Sequence, residues 1–282
     1  MKKILFATDF SENAEKSLDF ALNLARNHGA ELIMLHVFEV PTAWNYPYIE
    51  DPLDMEQQGI REAEKKLVAL FESHTGSDEV LDVSYLTVEN DSMTKGILEA
   101  IEKSSADLVV MGTKGGSKVK ELLIGSTTKS LLSKSPVPIL AVPENVLAFK
   151  LKTVLFASDF QKEDLKALQD LVQIVSPFHP EIIVTHVSKY DEAESAEFFE
   201  YFKKQIHDLI NYPNISFQGL YSEKAEDRLV NFIDQNQIDL LVMLEKKETG
   251  LLEKLFHPDL VKKMEFRSHV PVLSLMKNNY SN

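Results

Sequence analysis

The chain of 282 residues contains no cysteine. Disulfide staples and thiolate chemistry are therefore excluded, and a reducing, cytoplasmic compartment is the natural expectation. Long apolar runs are lacking as well. The run at residues 4–7 behind Met1-Lys2-Lys3 stops at Thr8-Asp9, far short of a secretory signal core, and no later stretch approaches the roughly 20 residues of a membrane span. Positive charge is in deficit, with 30 Lys and Arg against 44 Asp and Glu and a net charge of −14. That balance argues against nucleic acid and membrane surfaces as partners, yet leaves room for one anion in a local pocket. The 8 histidines have no metal-ligand spacing.

What is present is said twice. Ile4-Leu5-Phe6-Ala7-Thr8-Asp9-Phe10 returns as Val154-Leu155-Phe156-Ala157-Ser158-Asp159-Phe160, and His36-Val37 as His186-Val187, both 150 positions on. Asp107-Leu108-Val109-Val110-Met111 then matches Asp239-Leu240-Leu241-Val242-Met243 at 132, and Val137-Pro138-Ile139-Leu140 matches Val270-Pro271-Val272-Leu273 at 133. Ordered matches with one net deletion indicate a tandem duplication, with domains at 1–146 and 147–282. Residues 144–150 have no Gly/Ser-rich character, so the domains are expected to pack together instead of swinging freely.

Within the first half, β-rich runs at 3–8, 31–37, 81–88, 108–111 and 138–142 alternate with helical patterns. Several runs are nearly all apolar, as strands of a parallel sheet covered on both faces should be. Ala14, Leu18, Ala21, Leu22 and Ala25 form a helical stripe, with Ser11 placed as its N-cap and Gly29 as its stop. Further helices are expected at 54–73, 92–104 and 126–134. The predicted class is α/β, with right-handed crossovers. Residues 40–53 hold Pro41, Pro47, Pro52 and the single tryptophan, Trp44. They read as a surface excursion with aromatic anchors, or as a lid or partner-binding loop.

The chemistry-bearing pattern is Gly112-x2-Gly115-x9-Gly125-Ser126, set between the strand that ends at Met111 and a helix that begins near Thr127. Glycines there let backbone N–H groups approach an anion, and the helix dipole favours negative charge. No G-x4-G-K-[ST] sequence occurs, so this is not a Walker loop. Lys114, Lys118 and Lys120 could balance phosphate charge, or could simply be solvated. Read as plain structure, Asp9 is a turn residue before a helix, Val37 is core, and Ser126 is an N-cap.

Taken together, Ala7-Thr8-Asp9, His36-Val37 and the glycine pattern resemble the universal stress protein family, as a tandem member spanning essentially the whole chain. The resemblance implies two open, twisted, five-stranded parallel sheets of order 3-2-1-4-5, adenine-nucleotide α-hydrolase-like, with the ligand at the switch point between strands 1 and 4. It also implies a stress-response protein that binds ATP, or ADP or AMP, in its first domain. Thr8 and Asp9 would lie beside the adenosine, and Val37 would present main chain to the adenine edge. Met111, Gly112 and Gly115 would border the ribose and phosphates, and Gly125, Ser126 and Thr127 would hold the phosphates. Mg2+ could accompany the phosphates, although no protein cluster in the sequence would hold a metal unaided. Domain pairing through edge segments such as 137–142 and 270–275 would leave a monomer, and a homodimer of tandems is equally allowed. Protein partners are not specified.

In the second half Leu244, Lys247, His257 and Pro258 replace Gly112, Gly115, Gly125 and Ser126. Bulk returns to the loop and Pro258 removes an N–H, so no tight triphosphate binding is expected there. That half reads as a structural partner, although Ser158 and Asp159 survive, so the adenosine end of a pocket could persist. No catalytic pair stands out. Asp9 could orient a water, so slow ATP hydrolysis stays open. The alternatives are a nucleotide-independent scaffold protein and an adenylyl-transfer enzyme of related fold. The second lacks the glycine pair such enzymes carry after the first strand, because Ala7-Thr8-Asp9-Phe10-Ser11 stands there.

Overall fold

The computed structural model describes residues 1–39, 52–76, 79–113, 125–188, 193–245, 270–276 and 280. Its contacts divide the chain into two units, Met1–Leu131 and Leu132–Asn282.

The first unit alternates strand and helix: β1 (Lys3–Ala7), α1 (Glu12–His28), β2 (Glu31–Phe38), α2 (Pro52–His74), β3 (Val83–Glu89), α3 (Met93–Ser104) and β4 (Leu108–Gly112), followed by α4 (Ser126–Lys134), which crosses the boundary. The strands are parallel and ordered β3-β2-β1-β4. β1 lies in the middle, with Ile4, Leu5 and Phe6 fully buried, and every residue of β4 is buried. Each such aliphatic or aromatic side chain contributes about 1.5–3 kcal/mol when removed from water. The apolar stripe of α1 packs on this sheet, and its ends are capped as the sequence predicts. Ser11 Oγ accepts from Ala14 N at 3.3 Å, and Gly29 adopts the left-handed conformation with φ 58°.

The second unit opens with β5 (Ile139–Val142) and continues through β6 (Thr153–Ala157), α5 (Lys162–Val175), a 3-10 turn (Ser176–Phe178), β7 (Glu181–Ser188), α6 (Ala193–Leu209), β8 (Ile215–Tyr221), α7 (Ala225–Gln235), β9 (Leu240–Glu245) and β10 (Val272–Met276). Its strands are ordered β5-β10-β9-β6-β7-β8. β6 to β10 therefore realise the 3-2-1-4-5 order, all parallel. β5 is the exception. It runs antiparallel to β10, with Ala141 opposite Val272, Leu140 opposite Leu273 and Ile139 opposite Ser274. This pairing draws β5 into the second unit, so the contact boundary falls earlier than the 146/147 division read from the repeat.

The excursion with Trp44, Pro41 and Pro47 lies outside the described residues, as do Gly115, Lys114, Lys118, Lys120, Lys247, His257 and Pro258. Pro52 opens α2, a first-turn position where a missing N–H breaks no helical bond.

Candidate functional site

The C-terminal ends of the first-unit strands bound a cleft of about 240 Å³. The turn after β1 is built the same way as its counterpart after β6. Thr8 N donates to Leu35 O at 2.9 Å, fastening the turn to β2. Phe10 N donates to Thr8 Oγ1 at 3.0 Å, and Ser11 N to Asp9 Oδ1 at 3.1 Å. Phe10 itself sits at φ 60°, a conformation that costs a residue with a Cβ about 1–2 kcal/mol. Its ring packs on His36 with centroids 4.5 Å apart.

His36 anchors the turn from β2, with Nδ1 at 2.8 Å from Thr8 O. A carbonyl can only accept, so Nδ1 carries the proton of the neutral ring. Burial pushes the His36 pKa below its ordinary value, against the opposing pull of the Thr8 hydrogen bond and the Asp9 charge.

Across the cleft, β4 ends at Gly112. A Cβ on Gly112 would lie 2.7 Å from Asn13 Nδ2 and 3.3 Å from Asn13 O, so a side chain there would displace the Asn13 amide and crowd the start of α1. Gly125 N donates to Thr113 O at 2.6 Å, and Thr128 Oγ1 to Gly112 O at 3.2 Å. These bonds bring the start of α4 back onto the end of β4. The N–H groups of the first helical turn have no intrahelical acceptors, and here they belong to Ser126, Thr127 and Thr128 at the cleft. On the other wall, α3 lies so near β2 that a Cβ on Gly96 would fall 2.5 Å from Val37 Cγ1.

Eight of the nine residues expected from the sequence line this one cleft: Thr8, Asp9, Val37, Met111, Gly112, Gly125, Ser126 and Thr127. Gly115 lies outside the described residues. The structure adds Ala14, Leu35, Met93, Ile97 and Thr128. Leu35, Val37, Met93 and Ile97 make an apolar wall, and hydroxyls, glycine backbone and a helix N-terminus make the opposite one. A ligand with a flat apolar part and an anionic tail matches both. Among the described residues no group of three or more His, Asp or Glu is placed to hold a metal ion, and no helix is long and apolar enough to cross a membrane.

A mostly parallel α/β sheet with a cleft over the ends of β1 and β4, entered by a glycine-bordered helix, defines an adenine-nucleotide α-hydrolase-like fold. The sequence profile of the universal stress protein family matches residues 1–143, half of the chain. The chain belongs to the universal stress protein family. A universal stress protein of Thermus aquaticus is 30% identical over 142 residues, covering 50% of this chain and 98% of that protein. One from Methanocaldococcus jannaschii is 27% identical over 156 residues, 50% of this chain and 94% of its own length. A universal stress protein from Archaeoglobus fulgidus, solved by crystallography, is similar with a TM-score of 0.70 over 98% of both chains at 20% identity. That likeness extends the fold to the second half.

Proposed function

We propose that the chain is a cytoplasmic stress-response protein that binds an adenine nucleotide, ATP foremost, in its first domain, read as residues 1–146. The observation that carries this is the convergence of eight motif residues on one cleft that apolar side chains and the start of α4 both line. The adenine would lie against Leu35, Val37, Met93 and Ile97, with Asp9 beside the ribose. The phosphates would meet Gly112, Gly125 and the N–H groups and hydroxyls of Ser126 and Thr127, where the helix dipole favours negative charge. Mg2+ would enter with the phosphates. No residue is assigned a catalytic role, and the nucleotide acts as a ligand.

The second domain, 147–282, would serve as a structural partner. Leu244, which is buried where the first half has Gly112, argues against a second phosphate site.

Calorimetric titration with ATP and Mg2+ tests the reading. One equivalent per chain is expected, lost at least tenfold in affinity in a Gly125→Leu/Ser126→Pro variant. Saturation at about 100 times Kd should add about 2.7 kcal/mol of stability. No heat and no thermal shift would remove the nucleotide and leave a scaffold protein.

A further inference from the structure

The duplicated turns after β1 and β6 share one frame. Ser158 N donates to Thr185 O at 2.9 Å, as Thr8 N does to Leu35 O. His186 Nδ1 meets Ser158 O at 2.7 Å, as His36 meets Thr8 O at 2.8 Å. Phe160 repeats the positive φ of Phe10, 58° against 60°. Among the side chains that differ, one bears directly on the cleft. The third helical position of α1 is Ala14, which borders the cleft, whereas the third position of α5, 150 residues on, is Asp164.

Asp164 is 1% exposed. Its Oδ2 accepts from Ser158 Oγ at 2.7 Å, Asp159 N at 2.9 Å and Gln161 N at 3.1 Å. A helix cap needs the bond from Gln161 alone. The other two donors belong to the strand-end residues whose first-half counterparts, Thr8 and Asp9, line the cleft. Three donors converging on one buried oxygen is the coordination expected of a bound anion. Burial raises the carboxyl pKa above its ordinary value, against the opposing pull of the bonds from Ser158, Gln161 and Asp159, so the geometry of the three donors, and not the charge, is what marks the site.

We propose that the Asp164 side chain is a built-in acceptor that closes the second-half counterpart of the cleft, filling from within the space that Ala14 leaves open to a nucleotide. This rests on the nucleotide reading of the first half and bears on whether Ser158 and Asp159 could keep the adenosine end of a pocket. The second turn satisfies its own donors and takes no ligand from solution, so the chain binds one nucleotide.

The test uses the full chain, with adenosine and with ATP and Mg2+ titrated separately into wild type, Asp164→Ala and Ala14→Asp. Adenosine carries no phosphate, so the altered glycine loop of the second half does not enter its binding. Asp164→Ala should bind one more equivalent of adenosine than wild type, and Ala14→Asp, melting as wild type does, should lose at least tenfold in ATP affinity. Asp164→Ser, which keeps an acceptor for Gln161 N–H, replaces Asp164→Ala if that variant does not fold. A folded variant at Asp164 with no added adenosine site, an Ala14→Asp chain of unchanged ATP affinity, or a wild type that binds two equivalents would each overturn the proposal. A wild type that binds no ATP would instead sink the first-half reading, and the adenosine arm of the Asp164 variants would still decide the present one.

Discussion

His36 and Asp164 hold equivalent turns together and titrate in opposite senses. The folded pKa of His36 lies below its ordinary value because the ring is buried. The unfolded chain therefore takes up that proton first, and its contribution is complete above about pH 6.5 and lost as pH falls toward the folded value. Asp164 has a raised folded pKa, so the folded chain holds its proton to higher pH than the unfolded one. Its ionisation lowers stability as pH rises from the ordinary carboxylate range through the raised pKa. Melting curves of wild type, His36→Gln and Asp164→Asn between pH 4 and pH 8 separate the two. Each variant should flatten its own limb of the stability profile, and a profile unchanged in both would refute the assignment.

At the scale of elements, α1 depends on its two caps. Ser11→Ala removes the acceptor for Ala14 N and should cost about 1 kcal/mol, read as a lower Tm. Gly29→Ala meets no neighbouring atom, so any loss comes from the backbone at φ 58°, about 1 kcal/mol. The second half solves the same stop differently, with a 3-10 turn and His179 at φ 53°. Helix and strand limits were legible in the sequence to within about two residues, because apolar runs and a capped stripe are local signals. The cleft was legible in its polar and glycine members. Ala14, Leu35, Met93 and Ile97 were not, since an apolar residue near a ligand carries no mark that separates it from core. Asp164 could be read as a cap, but its bonds to Ser158 and Asp159 exist only once β6 and α5 are folded against each other.

For the whole molecule, a net charge of −14 over 282 residues means self-repulsion in the compact state. Raising salt from about 10 mM to about 150 mM shortens the Debye length from about 30 Å to about 8 Å. The Tm of the ligand-free chain should therefore rise over that range, and a flat or falling Tm would show that local pairs such as Lys150–Asp239 at 2.8 Å outweigh the net charge. By itself the sequence determined the α/β class, the family and the glycine-bordered helix entry, and showed motifs that recur in order, because each is written in local periodicity or in a short motif. Tertiary structure alone decided that β5 joins β10 in antiparallel register, which apolar side chains set and the chain between them does not. It also decided that Asp164 takes the bonds from Ser158 and Asp159 in the turn after β6, for a third-position side chain gains that role only when the strand end and the helix start are brought within hydrogen-bond reach.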